Sequence, residues 1–112
     1  MSSKLEQVVH DLLDEGLTDW VPLDRIIGIA REVAAASNSD PVDVARDLIA
    51  TIIRGDLMMP GDIGSEGFER WGGESEDLIV RVINQCQEMD WLPQGAGCWL
   101  ANTDLGDRLA VQ

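Results

Sequence analysis

Residues 40 to 63 read DPVDVARDLIATIIRGDLMMPGDI: a capped helix, a glycine stop and a strand with almost nothing between them. Asp40 stands at the cap, Pro41 at the first helical position and Asp43 in the acidic first turn, which suits the free N–H groups of a helix start. Val44, Ala45, Leu48, Ile49, Ile52 and Ile53 recur at helical spacing and define one apolar face. Gly55 supplies the stop, and Leu57–Met59 is expected as a short strand broken by Pro60-Gly61. The outward positions of the helix are Asp43, Arg46, Asp47, Thr51 and Arg54, behind an acidic tip at Asp40. That face is near neutral and its leading end acidic, whereas contact with phosphates calls for Lys and Arg.

The flanks supply what such a unit packs against. Ser3-Lys4-Leu5-Glu6 is a capping-box pattern, and Leu5, Val8, Val9, Leu12 and Leu13 form one stripe of a first helix ending at Gly16. His10 lies off that stripe and is read as solvated. Pro22 holds Val21 extended, so Asp19-Trp20-Val21-Pro22 is expected to start an edge strand before a second helix over 23–36. Ser75 is expected to cap a fourth helix with Leu78, Ile79, Val82, Ile83, Cys86 and Met89 inward. Asp90-Trp91-Leu92-Pro93 echoes the earlier Asp-Trp-Val-Pro run and is expected as a second strand start. Cys98–Ala101 reads as a strand, and Asn102 or Thr103 caps a short helix over Leu105–Ala110 that Gly106 weakens. The expected fold is mainly α with a small antiparallel sheet, a single domain over 1–112.

Charge narrows the function. Eight basic residues against 21 acidic ones leave −13, spread as −6 up to Asp56 and −7 after it. A field of that sign repels nucleic acid and favours a basic protein partner; solubility alone is the competing explanation. No apolar run reaches the roughly 20 residues of a membrane span, and the N-terminus has no secretion pattern, so the expected location is cytoplasmic, away from membranes. Cys86 and Cys98 are too few for a disulfide framework; Cys86 reads as a core residue, and a bond between the two is the alternative. Phosphate-binding, dinucleotide, calcium and Ser-His-Asp patterns are all missing, so no cofactor, no metal and no catalytic residue is expected.

The ending CWLANTDLGDRLA resembles the second wing strand and closing helix of bacterial winged-helix regulators, and the order of elements before it extends that resemblance over most of the chain. It implies a winged-helix-like architecture and, as one alternative, a DNA-binding transcriptional regulator, for which Arg25, Arg31, Arg46 and Arg54 are the only sizeable basic set. Two departures stand out: no Lys follows Lys4, and residues 57–68 contain no basic residue. A helix ahead of the last strand also departs from the pattern. In size and acidity the chain is similar to bacterial immunity proteins, which implies a basic partner such as a toxin and a non-enzymatic role. The expected contact surface is the glycine-rich connection over 61–73, where Glu66 and Glu69 would attract and Phe68 and Trp71 would anchor. Aromatics in such a connection can instead pack it onto the domain.

Overall fold

The computed structural model describes residues 3–112, apart from the side chain of Ser3. In chain order the elements are α1 (Ser3–Gly16), β1 (Val21–Pro22), α2 (Leu23–Ser37), α3 (Pro41–Arg54), β2 (Met58–Gly64), β3 (Gly67–Arg70), α4 (Ser75–Glu88), β4 (Trp99–Asn102) and α5 (Asp104–Ala110). The protein is mainly α with a small antiparallel sheet of order β1-β4-β2-β3.

The helix starting at Pro41 forms as its signals dictate. Asp40 Oδ1 accepts the Val42 N–H at 2.8 Å, and Ala45, Leu48, Ile49, Ile52 and Ile53 are buried. With Leu12, Leu23, Ile26, Met58, Val82 and Leu100 they belong to one core. The capping box assigned to Ser3 involves a side chain outside the described residues. At α4 the cap position falls to Glu74, and Ser75 is already helical.

The chain end follows a similar logic. Thr103 caps α5 by accepting the Gly106 N–H at 3.0 Å, and its hydroxyl donates to Asp56 O at 2.6 Å. Gly106 weakens helix propensity for a packing reason: a Cβ there would run into the carbonyl oxygen of Leu57. Asn102 in β4 ties three elements, donating to Leu13 O at 2.8 Å and Asp107 Oδ1 at 3.0 Å.

Two expectations about strands need correction. Pro60-Gly61 does not end the strand; β2 runs through it to Gly64 and turns back as β3. The Pro60 carbonyl accepts Trp71 N–H at 3.0 Å, so its missing N–H faces that same side, one residue past the end of β3. No bond to β4 is lost, and a proline is tolerated there. Much of the supposed loop over 61–73 is therefore a hairpin. Conversely, Asp90–Pro93 is no strand: Asp90 (φ 52°) and Trp91 (φ 60°) are both left-handed, closing the end of α4 with Trp91 N–H on Cys86 O at 2.7 Å. The earlier Val21–Pro22 does pair with β4. The resemblance between the two Trp-containing segments thus ends at sequence.

Cys86 and Cys98 are free thiols in the core. Burial pushes the Cys86 thiol up to about 11 and the Cys98 thiol up to about 12, so both stay protonated and unreactive near neutral pH.

Candidate functional site

Register decides which side chains the sheet offers to solvent. Residues directly opposed across antiparallel strands share a face. Val21, Leu100 and Pro60 lie opposite one another and are buried, so theirs is the core face. Pro22, Trp99, Gly61 and Arg70 lie opposite one another on the other face, with Ile63 and Phe68 further along the hairpin. Trp20, two residues before Pro22, projects to the same side. Met59, at one end of this face, is covered, whereas Ile63 at the other is 42% exposed.

On this outer face Trp20 and Phe68 meet, their ring centroids 6.1 Å apart and tilted by 34°. Phe68 can lie flat because residue 61 is glycine: a Cβ there would come within 2.7 Å of Phe68 Cζ and also strike the Glu69 backbone. The Trp20 ring edge sits beside Gly67. Trp20 and neighbouring Leu17 are each 39% exposed, and hollows of about 400 and 320 Å³ flank the indole. Trp99 and Phe68 are half-buried. The result is a contiguous aromatic and aliphatic surface joining the α1–β1 connection to the hairpin, the kind of exposed patch that marks interaction sites.

Two carboxylates border it: Glu66 is exposed in the two-residue turn of the hairpin, and Asp19 stands in the α1–β1 connection. Asp62 and Glu69 are also exposed on the hairpin, but alternation turns them to the other face, whereas Arg70 shares the face of Phe68. Asp19 lies next to Trp20 and accepts its backbone N–H at 2.9 Å. Among the described residues only Glu15 and Glu76 are held in ion pairs, with Arg25 at 3.0 Å and Arg54 at 2.8 Å. The Arg54 hydrogen bonds hold the Glu76 carboxyl below its ordinary value, and the Glu15 hydrogen bond raises the Arg25 guanidinium. Among the described residues, Asp19 and Glu66 beside the aromatic face are in no such ion pair.

The four contact residues expected from sequence are not all brought together. Glu66, Phe68 and Glu69 lie on the hairpin, Glu69 turned to the face opposite Phe68, and Trp71 belongs to the core, 6% exposed and also on the opposite face from Phe68. Its Nε1–H donates to Asp62 Oδ2 at 2.8 Å, and the Arg81 guanidinium lies 3.6 Å from its ring centroid. Trp71 anchors the hairpin to the domain. Trp20, read from sequence only as part of an edge strand, takes the exposed place. The signal that could have found it is the alternation of β1, with Val21 inward and its neighbours outward.

The four arginines of the alternative reading do not converge. Arg25 and Arg54 are tied to carboxylates on α1 and α4, while Arg31 and Arg46 both approach Trp91. Among the described residues no group of three or more His, Cys, Asp or Glu is arranged to hold a metal ion, and no helix is long and apolar enough to cross a membrane. No known protein family matches the chain, and neither characterised proteins nor solved structures give a match.

Proposed function

We propose that this chain is a non-enzymatic, acidic protein-binding module of winged-helix-like architecture that holds a basic protein, as an immunity protein or inhibitor holds a basic bacterial toxin. The observation that carries the reading is the Trp20–Phe68 face, open to solvent and bordered by the unpaired carboxylates of Asp19 and Glu66. Such a surface matches a partner presenting Lys or Arg. The charge of −13 attracts the partner over distance, and the guanidinium or ammonium group stacks on exposed indole or phenyl while carboxylates take its N–H groups. The architectural part is supported by the order α1-β1-α2-α3-β2, with β4 antiparallel between β1 and β2, and by the short closing helix α5. In this view β3 and α4 occupy the connection between the two wing strands. Cytoplasmic location follows the sequence expectation.

A DNA-binding role is disfavoured by the same layout. The exposed surface of α3 carries Asp43 and Asp47, and Arg54 is engaged by Glu76 of α4.

The test is selection of genomic-fragment phage, from the source organism, on the wild-type protein and on Trp20→Ala/Phe68→Ala. Basic fragments retained by the wild type and lost on the variant support the proposal. Enrichment that ignores the two aromatics, or sequence-specific retention of duplex DNA at about 0.15 M salt, overturns it.

A further inference from the structure

Away from the residues of the Trp20–Phe68 face, α2, α3 and the turn after α4 border an open cavity of about 200 Å³ lined by Ile27, Arg31, Pro41, Val42, Ala45 and Trp91. Its floor is aliphatic and its wall is an indole, yet two guanidiniums gather at its edge. Arg31 Nη2 donates to Trp91 O at 2.9 Å, and the Arg46 guanidinium stands 5.5 Å from the Trp91 ring centroid. Trp91 is held there at some backbone cost. Asp90 and Trp91 are successive non-glycine residues in the left-handed region, a placement that costs on the order of 1–3 kcal/mol per residue and concentrates at functional positions.

Charge separates this cavity from its neighbours. Three others include Asp11 and Glu32, Asp19, or Glu15 and Asp19 in their linings. No carboxylate lines the α2–α3 cavity, in a chain with 21 acids. Neither Arg31 nor Arg46 has an ion-pair partner among the described residues, in contrast to Arg25 and Arg54. Arg31 uses one N–H on Trp91 O and keeps the rest of its five-donor fork for a ligand. The N-terminus of α3 is not the anion's partner, because Asp40 already takes the Val42 N–H.

We infer that this cavity is a docking site for the C-terminal residue of a partner polypeptide ending in an aliphatic side chain. The side chain enters between Ile27, Val42 and Ala45, and the terminal carboxylate meets Arg31 at the rim, with Arg46 adding long-range attraction. Size favours this occupant. About 200 Å³ falls short of the ~300–1,000 Å³ of pockets that enclose a whole small ligand, but it suits one anchoring side chain. The inference is independent of the basic-partner reading, since it concerns another surface and an anionic group.

The probe is the peptide Gly-Ser-Gly-Ser-Gly-Leu with a free C-terminus, titrated to about 5 mM, enough to populate a contact worth ~4 kcal/mol, into isotope-labelled full-length protein. Comparators are the C-terminal amide, free hexanoate, Arg31→Gln and Val42→Phe, which places a larger side chain at the half-buried Val42. We expect the free acid to shift the Ala45 amide and Trp91 indole resonances saturably. Amidation and Arg31→Gln should each weaken binding about tenfold, in line with a charge-assisted hydrogen bond. Val42→Phe should abolish binding while leaving the resonances of the sheet in place, which separates a filled cavity from a failed fold. Equal binding of acid and amide, absence of shifts at these positions, or hexanoate binding as tightly as the peptide overturns the inference. So does a concentration-dependent shift without peptide, which would assign the groove to a second copy.

Discussion

Replacing Trp71 by alanine separates the core aromatic from the contact aromatic. The side chain is almost fully buried, and truncation of such an aromatic costs about 3–5 kcal/mol through lost transfer energy and the cavity left behind. Losing the Nε1–H bond to Asp62 adds little, because Asp62 is exposed and regains water. The stacked Arg81 is also exposed, so its contact is worth ~0.5–1 kcal/mol. A total near ~4 kcal/mol is a large part of the ~5–15 kcal/mol that holds a domain of this kind. At roughly 4 °C or more per kcal/mol the melting point should drop by at least about 15 °C. Urea unfolding should show the midpoint falling with an unchanged slope, and Trp71→Phe should recover most of the loss. Trp20→Ala should do the reverse, costing about 1 kcal/mol or less of stability but at least ~2 kcal/mol of partner affinity, about thirtyfold. If Trp71→Ala stays within ~1 kcal/mol of wild type while partner binding disappears, the assignment of faces is wrong.

Gly106→Ala should destabilise by about 1–3 kcal/mol in urea unfolding, since the new Cβ meets the Leu57 carbonyl; helix propensity alone predicts a gain of ~1 kcal/mol, so the sign is decisive. Thr103→Val should cost about 1–2 kcal/mol, because it removes both the α5 cap and the hydroxyl bond to Asp56 O; hydrogen exchange should show α5 opening first. The raised thiols set an alkaline limit. The unfolded chain ionises them near their ordinary 9.0 and the native chain near about 11 for Cys86 and about 12 for Cys98. Stability from this source is complete below pH ~9 and declines as pH rises towards 11–12. Cys86→Ala/Cys98→Ala should flatten that decline in urea titrations, and native-state alkylation at pH 8 should be slow in wild type.

What was legible in the sequence is what short-range chemistry specifies. The Asp40-Pro41 start of α3, the start of α5 at Thr103 (one of the two caps the sequence left open) and the apolar stripes require only neighbouring residues. Signals that depend on a partner strand or a left-handed backbone were misread. Pro60 looks like a strand breaker until its missing N–H is seen to face the far side from β4. Trp91 follows the same local pattern as Trp20, but tertiary contacts hold it left-handed, with its carbonyl on Arg31 from α2 and its ring beside Arg46 from α3.

The misplacement of Trp71 has a sharper cause, because the side-chain period of a strand is two. Phe68 and Trp71 are three residues apart, so if both lie on a continuous extended run they must face opposite ways. An irregular loop imposes no such rule, and reading residues 61–73 as a loop allowed both aromatics onto one surface. Once β2 passes through Pro60-Gly61 and pairs Ile63 with Phe68, the parity is set: Phe68 outward over Gly61, Trp71 inward opposite Pro60. The same parity carries across β4 to β1 and sends Val21 inward, which puts Trp20 outside beside Phe68. The composition of the proposed contact face is thus a consequence of strand register. A one-residue slip of the hairpin would bury Phe68, expose Trp71 and dismantle the face without changing a single amino acid.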